Sequence, residues 1–363
     1  SRLARTFRVA KSDIRVAGLK DRQSVSEQVI SIRGVEREYE SDDMLLEFLG
    51  RSNEPVTSES NEANRFEIVV RDLKAEDLKH LDRHVRAIRD FGVPNYFDDQ
   101  RFSCVRYGQG FIARDLIHGR FESAFRKLTA TVYDNDVEPL RHLKRLIQRH
   151  WGRWEELVDR LGERQLYRTA IEHLAEYRKD FVGALRLLGT SLKTIHLFAY
   201  QSYIWNWTAH RYIRKCVEIE QQGDLPFSIG RLTVWRDLET LPRTSWIEEG
   251  FTIPLIDHNT KVDDGRLNKA LRESLEYEGL TVSQFRVDAD GIFFREEPRS
   301  LALIPQSFEV LGPERDEAHR GRQKVTFRFE LPRGSYGTLV VRRAFLDSPN
   351  VARLSPPVGE SVK

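Results

Sequence analysis

Apolar residues recur at spacings of three and four over most of the stretch between residues 140 and 220, and this helical period limits the folds open to the chain. Residues 140–188, with Trp151 and Trp154 on one apolar stripe, are predicted to form nearly continuous helix, and residues 194–220 a second helical run. Strand patterns stand on both sides of this stretch. The mixture predicts an α+β protein.

The strand patterns are clearest at residues 64–70, where apolar and polar positions alternate as a half-buried strand requires. Residues 77–91 then have helical spacing, and Gly92 and Pro94 end that helix. Residues 24–32 favour a strand, whereas residues 36–62 predict a loop with one short helix. A strand at residues 324–331 and a helix at residues 338–346 close the folded part.

The length of 363 residues exceeds one ordinary domain and favours two. Residues 225–295 change to short strands and turns around one helix, which indicates a smaller α+β insertion. We therefore expect one domain made of residues 1–222 and 298–347, with a helical segment at 138–190. Residues 223–297 would form the insertion and residues 348–363 a loose tail.

Several classes of protein do not fit the sequence. It contains no run of eighteen apolar residues and no secretory signal, so we expect a cytoplasmic protein with no membrane contact. Cys104 and Cys216 stand alone, without the spacing of a disulfide framework or a zinc site. His80 and His84 lie one helical turn apart but lack the glutamate of a zinc protease helix, which predicts two surface histidines and no metal.

Charge is unevenly distributed although the formal net charge is only +2. Residues 141–153 contain five basic side chains and no acid: Arg141, Lys144, Arg145, Arg149 and Arg153. A basic face of this kind is typical of RNA backbone contact. It is equally typical of solvated surface, and both interpretations stay open here.

Four short segments combine glycine, charge and aromatic residues at the ends of elements, where functional residues are often displayed. They occupy residues 17–28, 64–70, 92–102 and 331–343. Each is a weak signal alone, because a Lys-Asp pair after glycine is most often a solvated turn.

Together and in this order, the segments resemble the TruD family of pseudouridine synthases. The family's Gly-x-Lys-Asp turn is present, although serines stand where Ala and Thr are usual. The sequence GVPNYFxxQRF is matched without exception by residues 92–102, and a Gly-Ser-aromatic turn precedes the last helix. The matching residues of the first and third motifs are Gly18, Lys20, Asp21, Ser24, Ser26, Gln28, Gly334, Ser335 and Tyr336.

The resemblance implies that Asp21 is the catalytic residue of a uridine isomerase. The reaction breaks the bond between uracil N1 and ribose C1′, turns the freed base and rejoins it through C5. An ionised carboxylate suits either of two routes, as the nucleophile at C1′ or as the base that removes the neighbouring ribose proton. Because neither redox change nor group transfer occurs, the resemblance implies no cofactor and no metal.

The resemblance also implies a substrate site. The uridine must leave its stack, so the site requires an aromatic platform and a polar group at the base edge. Phe97 would stack on the uracil, Asn95 would hydrogen-bond near it, and Tyr336 stands where the family has phenylalanine; a core aromatic and a turn-forming asparagine are the simpler alternatives. Lys20 would hold the carboxylate ionised or meet a phosphate. Further candidate phosphate contacts are Arg101, Arg342, Arg141, Lys144 and Arg145; for Arg101 and Arg342 a purely structural role is the alternative.

For the whole chain, the resemblance implies a catalytic domain with a mixed, mainly antiparallel sheet and flanking helices, and a TruD insertion domain across a basic cleft. The expected substrate is tRNA, modified at uridine 13, and the expected state is a monomer. Family members also begin with a further strand carrying an Asp-Phe pair, which would precede Ser1. Two alternatives are a non-catalytic RNA-binding or RNA-remodelling protein with the same fold, and an unrelated nucleic-acid-binding α+β protein.

Overall fold

The structure is a computed structural model that describes residues 2–18, 24–105, 110–133, 136–236, 238, 244–287, 289 and 291–351. The chain divides into two compact units. Unit 1 comprises Ser1–Phe66 and Glu330–Gly334, and unit 2 comprises Glu67–Phe329 and Ser335–Lys363.

Unit 1 consists of one short helix and two small antiparallel ladders. The ring of Phe7 in the helix contacts that of Tyr39 edge to face, with centroids 6.1 Å apart. Arg65 donates to Glu330 through both Nε and NH2, at 3.0 and 2.7 Å. The elements are α1 (Arg2–Phe7), the pair β1 (Ile14–Val16) and β2 (Ile30–Ile32), and the pair β3 (Tyr39–Ser41) and β4 (Met44–Leu46).

Two predictions for unit 1 are corrected. The strand expected over residues 24–32 is formed only at its end, as β2. The short helix expected within residues 36–62 is replaced by the β3–β4 hairpin and one turn of 3-10 helix. The hairpin turn is closed by side chains, because Ser41 Oγ donates to Asp43 Oδ1 at 3.1 Å and Arg2 pairs with the same carboxylate at 2.8 Å. These contacts outweigh the weak helical pattern of the segment.

Unit 2 contains the other eleven helices of the described residues. The nearly continuous helix expected over residues 140–188 is four helices, and Gly152 and Tyr167, both at positive φ, stand between them. The helices are α2 (Ala75–Leu78), α3 (Leu81–Phe91), α4 (Ile112–Ile117), α5 (Phe121–Ala130), α6 (Glu138–Arg149), α7 (Trp154–Arg160), α8 (Arg168–Glu176), α9 (Phe181–Leu187), α10 (Thr190–Cys216), α11 (Gly265–Glu278) and α12 (Gly337–Ala344). None of them is long and apolar enough to cross a bilayer.

The remaining strands pair in small sheets, and three of the pairs are antiparallel two-stranded ladders. The expected strands at residues 64–70 and 324–331 are confirmed and lie in one sheet, in the order β12–β13–β5. The strands are β5 (Ala63–Leu73), β6 (Val93–Pro94) with β11 (Ala302–Leu303), β7 (Gln222–Phe227) with β8 (Gly230–Trp235), β9 (Thr252–Leu255) with β10 (Glu297–Ser300), β12 (Gln306–Arg315) and β13 (Gln323–Pro332). The α+β class is therefore confirmed.

Helix α10 is the centre of the core. It is 27 residues long, and buried polar side chains tie it to the segment that follows. Trp205 Nε1 donates to Ile253 O at 2.9 Å, Gln201 Nε2 to Ile256 O at 2.8 Å, and Tyr200 OH to Glu278 at 3.1 Å. Residues 223–297 thus pack on α10 inside unit 2, and the two-unit division does not fall at their boundaries.

Gly92 ends α3 at a position that only glycine fits. Its φ is +65°, and an added Cβ would lie 2.3 Å from the carbonyl oxygen of Leu303. Gly279, at the end of α11, has a φ of +68° but no heavy atom within 4 Å of an added Cβ. Gly92→Ala is therefore expected to lower the free energy of unfolding by about 1–3 kcal/mol more than Gly279→Ala. Urea unfolding of both variants measures the difference, and equal losses would contradict it.

His84 is not the surface residue that the sequence suggests; it is 1% exposed. Arg343 donates to its Nδ1 at 2.8 Å and its Nε2 lies 3.0 Å from Asp347 Oδ2, an arrangement that suits the neutral ring. Burial, followed by the charge of Arg343, lowers the pKa of His84 to about 4. Burial likewise lowers the pKa values of His196 and His210 to about 4.

These histidines predict acid sensitivity. Between about pH 6.5 and pH 4 the unfolded chain binds protons that the buried rings do not, so stability falls as pH falls through that window. Replacing His196, which lies near Lys144, by Leu is expected to reduce the slope of unfolding free energy against pH by up to about 1.4 kcal/mol per pH unit. Urea unfolding at pH 7, 6 and 5 measures the slope. The same change at the exposed Gln148, which does not titrate, should leave the slope unaltered.

Candidate active site

The structure locates only part of the predicted site. Asp21 and Lys20 lie outside the residues that it describes. Asn95, Phe97 and Tyr336 are all described and all belong to unit 2.

The segment of residues 92–102 begins as strand β6 and then turns along helix α10. Asn95 N donates to Leu301 O at 2.8 Å, which continues the pairing of β6 with β11. Two residues later, Phe97 N donates to Asn206 Oδ1 at 2.9 Å and Asn206 Nδ2 donates back to Phe97 O at 2.8 Å. The Asn206 amide on α10 thus takes the place of a neighbouring strand. It fixes the backbone at Phe97, beyond the end of β6.

Arg299, at the end of β10, holds the Asn95 amide. Its Nε donates to Asn95 O and its NH2 to Asn95 Oδ1, both at 2.8 Å. Asn95 Nδ2 in turn donates to Ser300 O at 3.2 Å. These bonds orient the amide and use one of its two N–H donors and one of the two lone pairs of its oxygen. One donor and one lone pair of the amide remain unused by these bonds, and Asn95 is 6% exposed.

Phe97 lies at the centre of an aromatic cluster. The Arg299 guanidinium carbon is 3.9 Å from its ring centroid. Phe198, Trp205 and Tyr336 surround it edge to face, with centroid distances of 5.6, 5.7 and 6.4 Å. Phe97 is only 2% exposed, whereas Tyr336 is half-buried. Tyr336 is therefore the ring of this pair with surface open to a ligand.

A buried ion pair brings Tyr336 to the Asn95–Phe97 turn. Asp98 follows Phe97, and its carboxylate accepts from Thr338 Oγ1 and from Arg342 NH1, the latter at 3.0 Å. Both donors belong to α12, whose N-cap is Tyr336. The second and third sequence motifs therefore meet because a carboxylate of one binds the helix of the other.

For Arg342 the sequence left two interpretations open, contact with an RNA phosphate or a structural role, and its position contradicts the first. It is 1% exposed and pairs with Asp98. Removing it from this ion pair to reach solvent would leave a buried charge unpaired, which is strongly unfavourable. Its function in this structure is to position α12.

The expectation that Lys144 contacts an RNA phosphate is corrected for the same reason. It is 4% exposed, its Nζ lies 2.8 and 3.0 Å from the oxygens of Asp136, and it covers the ring of Tyr133. Arg145 is exposed and lies 3.6 Å from Glu138, and Arg141 is half-buried. Arg101 is half-buried, and its guanidinium carbon is 6.0 Å from the Phe97 centroid, next to the site.

Two guanidinium groups, those of Arg299 and Arg101, lie beside the Phe97 ring, while the Asp98 carboxylate of the same turn pairs with Arg342. Burial lowers the pKa of Arg299 to about 10, so its guanidinium is still charged at neutral pH. The nearby charge of Arg101 lowers the same pKa further. Burial raises the pKa of Asp99. Among the described residues no cluster of metal-ligating side chains is found.

Sequence reasoning missed three residues that build this turn. Arg299 and Asn206 stand 204 and 109 positions from their partners, and neither belongs to a motif. Asp98 is inside the motif of residues 92–102 and could have been recognised there.

An amide, aromatic rings and guanidinium groups lie around one turn of an α+β fold, and side chains of these kinds are common where proteins bind nucleic-acid bases. The chain belongs to the TruD family: residues 1–344 match the family described as "tRNA pseudouridine synthase D (TruD)". The predicted family and enzyme class, an isomerase acting on tRNA, are confirmed.

Individual relatives agree with this assignment. The chain is 32% identical, over 95% of its own length and 82% of the relative's, to a probable tRNA pseudouridine synthase D 2 of Methanocaldococcus jannaschii. It is 26% identical to tRNA pseudouridine synthase D of Aquifex aeolicus, over 94% and 86% of the two chains. A crystal structure of the putative TruD of Methanosarcina mazei has the same fold, with a TM-score of 0.67, 24% identity and coverage of 95% and 84%.

Proposed function

We propose that this chain converts uridine 13 of tRNA to pseudouridine as a monomer without cofactor, with Asp21 as its catalytic residue. The observation that carries the proposal is the meeting of Asn95 and Phe97 with Tyr336 around Arg299. Residues of two sequence motifs of an RNA-modifying family thereby lie together in unit 2.

The proposed chemistry assigns the base to this site. Asn95 reads a polar edge of the everted uracil, and Tyr336 is the aromatic ring beside it. Tyr336 offers the exposed surface and its hydroxyl, and Phe97 supports it from the core. Arg299 holds Asn95 in place through hydrogen bonds and Phe97 through contact with its ring.

Asp21 carries the bond changes. Its carboxylate attacks ribose C1′ or removes the neighbouring ribose proton, and the bond from C1′ to N1 breaks. The base turns within the aromatic site, and C5 bonds to C1′ as the bond from Asp21 to C1′ breaks or, on the second route, as the proton returns from Asp21 to the ribose. C5 then loses its proton and N1 gains one, so substrate and product have the same composition and no co-reactant is required.

RNA contacts outside the base site complete the proposal. Arg145, Arg141 and Arg101 are the basic residues of the predicted set that the structure leaves exposed or half-buried. We assign them to the phosphates of the tRNA, where each neutralised phosphate should add to the salt dependence of binding. Lys20 is assigned to a phosphate or to the Asp21 carboxylate.

Mapping pseudouridine at every uridine of an unmodified tRNA transcript after incubation with the protein tests the proposal. The expected result is one converted position, uridine 13. Conversion elsewhere alone would contradict the proposed position but not the activity. Tight tRNA binding with no conversion at any position would instead favour the non-catalytic RNA-binding alternative.

A further inference from the structure

A shallow groove of about 310 Å³ lies beside the base site in unit 2. One wall is the first two turns of α10, with three hydroxyl side chains and Ile195, which is 48% exposed. The other wall is Arg101 from the motif of residues 92–102. The lining residues are Arg101, Thr190, Ser191, Thr194, Ile195 and Phe198.

The groove is continuous with the aromatic cluster of the base site through Phe198. The Arg101 guanidinium carbon is 4.4 Å from the Phe198 centroid, and Phe198 contacts Phe97 edge to face at 5.6 Å. Arg101 Nε is buried and has no hydrogen-bond partner among the described residues. A group bound in the groove would therefore lie one aromatic ring away from Phe97.

The chemistry of the lining selects an anion attached to an apolar or planar group. None of the lining residues is acidic, and α10 contains no Asp or Glu along its whole length. Hydroxyls and a guanidinium are the side chains that commonly donate to phosphate oxygens. The surfaces of Ile195 and Phe198 suit a sugar or base next to that phosphate.

We propose that this groove binds the phosphodiester, with its attached nucleotide, that lies next to the target uridine in the RNA. The proposal rests on the proposed function for the identity of the RNA. Arg101 donates to the phosphate, and its guanidinium group packs against the ring of Phe198. Ser191 and Thr190 donate hydroxyl hydrogens from the first turn of α10. The RNA backbone is thus held on one side of the everted base, which fixes the direction in which the strand passes the site.

Ser191→Asp tests the groove without harming the fold. A carboxylate in the first turn of a helix interacts favourably with the helix dipole, so the variant is expected to unfold at the same temperature as the parent or higher. A negative charge in the groove should nevertheless weaken binding of a tRNA transcript by about tenfold. Gln165→Glu, an exposed position in the loop before α8, adds the same charge outside the groove and should leave affinity unchanged.

A second variant and a modified RNA locate the contact. Arg101→Gln should weaken binding and reduce the slope of log affinity against log salt by about 0.7–0.9, the share of one phosphate. RNAs carrying a single uncharged methylphosphonate on either side of the target uridine should bind the parent more weakly at one position. At that position the modification should cause no further loss of RNA affinity in Ser191→Asp.

The binding measurements need no turnover, so their outcome is independent of whether pseudouridine forms. Parent-like affinity of both Ser191→Asp and Arg101→Gln would overturn the groove proposal even if uridine 13 is converted. A weakened Ser191→Asp that remains sensitive to every methylphosphonate would overturn it as well, because no phosphate would then be assigned to the groove. Failure of the proposed function would appear separately, as absent pseudouridine with intact groove effects.

Discussion

Asp21→Asn is expected to lower the rate of pseudouridine formation by about 10⁴-fold or more while tRNA binding persists. An amide has nearly the shape of a carboxylate but neither attacks C1′ as an anion nor accepts a proton, so both routes open to Asp21 are lost together. A single-turnover assay with enzyme in excess over tRNA measures the chemical step. A filter-binding or fluorescence assay on the same preparation measures affinity.

The matched control is Asp42→Asn. Asp42 is an exposed aspartate of unit 1, in the β3–β4 turn, and the same loss of charge there should leave the rate unchanged. A residual rate of Asp21→Asn within about tenfold of the parent would remove Asp21 from the mechanism, because general acid–base catalysis alone contributes about 10²–10⁴. If Asp21→Asn lowered the rate and the tRNA affinity by the same factor, Asp21 would have a role in RNA binding.

The elements that could be predicted were those whose pattern is local. Alternation over residues 64–70 gave strand β5, and spacing of three and four gave α3 and α10 within a few residues. Gly92 was recognised as a helix end from its residue type, and the structure adds the cause, a positive φ against the Leu303 carbonyl. Local patterns failed at residues 140–188, because apolar spacing does not record the turns at which one helix becomes four.

The sequence predicted only those residues of the candidate site that belong to a motif. Asn95, Phe97 and Tyr336 came from two segments that resemble one family, and the structure brings them together. Arg299 could not be found in this way, because its bonds to Asn95 depend on the pairing of β9 with β10 and of β6 with β11. Arg342 shows the opposite failure: a basic residue in a motif suggested phosphate contact, whereas burial beside Asp98 gives it a structural function.

Arg299→Met is the second change for which we expect a large effect. The variant fills the volume of the side chain but leaves Asn95 O and Oδ1 without their donor, at a cost of about 1–3 kcal/mol for each buried acceptor. It also frees the amide to turn. Because a displacement of about 1 Å in a positioned group costs about 10²-fold in rate, kcat should fall by roughly that factor.

Arg299→Lys separates positioning from folding. Lysine keeps the charge near the Phe97 ring but cannot form the planar fork to both oxygens of Asn95. We therefore expect a melting temperature closer to the parent's than that of Arg299→Met, with kcat still reduced and KM for tRNA little changed. Arg328→Met, at an exposed arginine paired with Glu67, is the control and should alter neither quantity. A lysine variant with parental kcat would show that Arg299 supports only the fold, because its fork would then have no part in holding the Asn95 amide for the base.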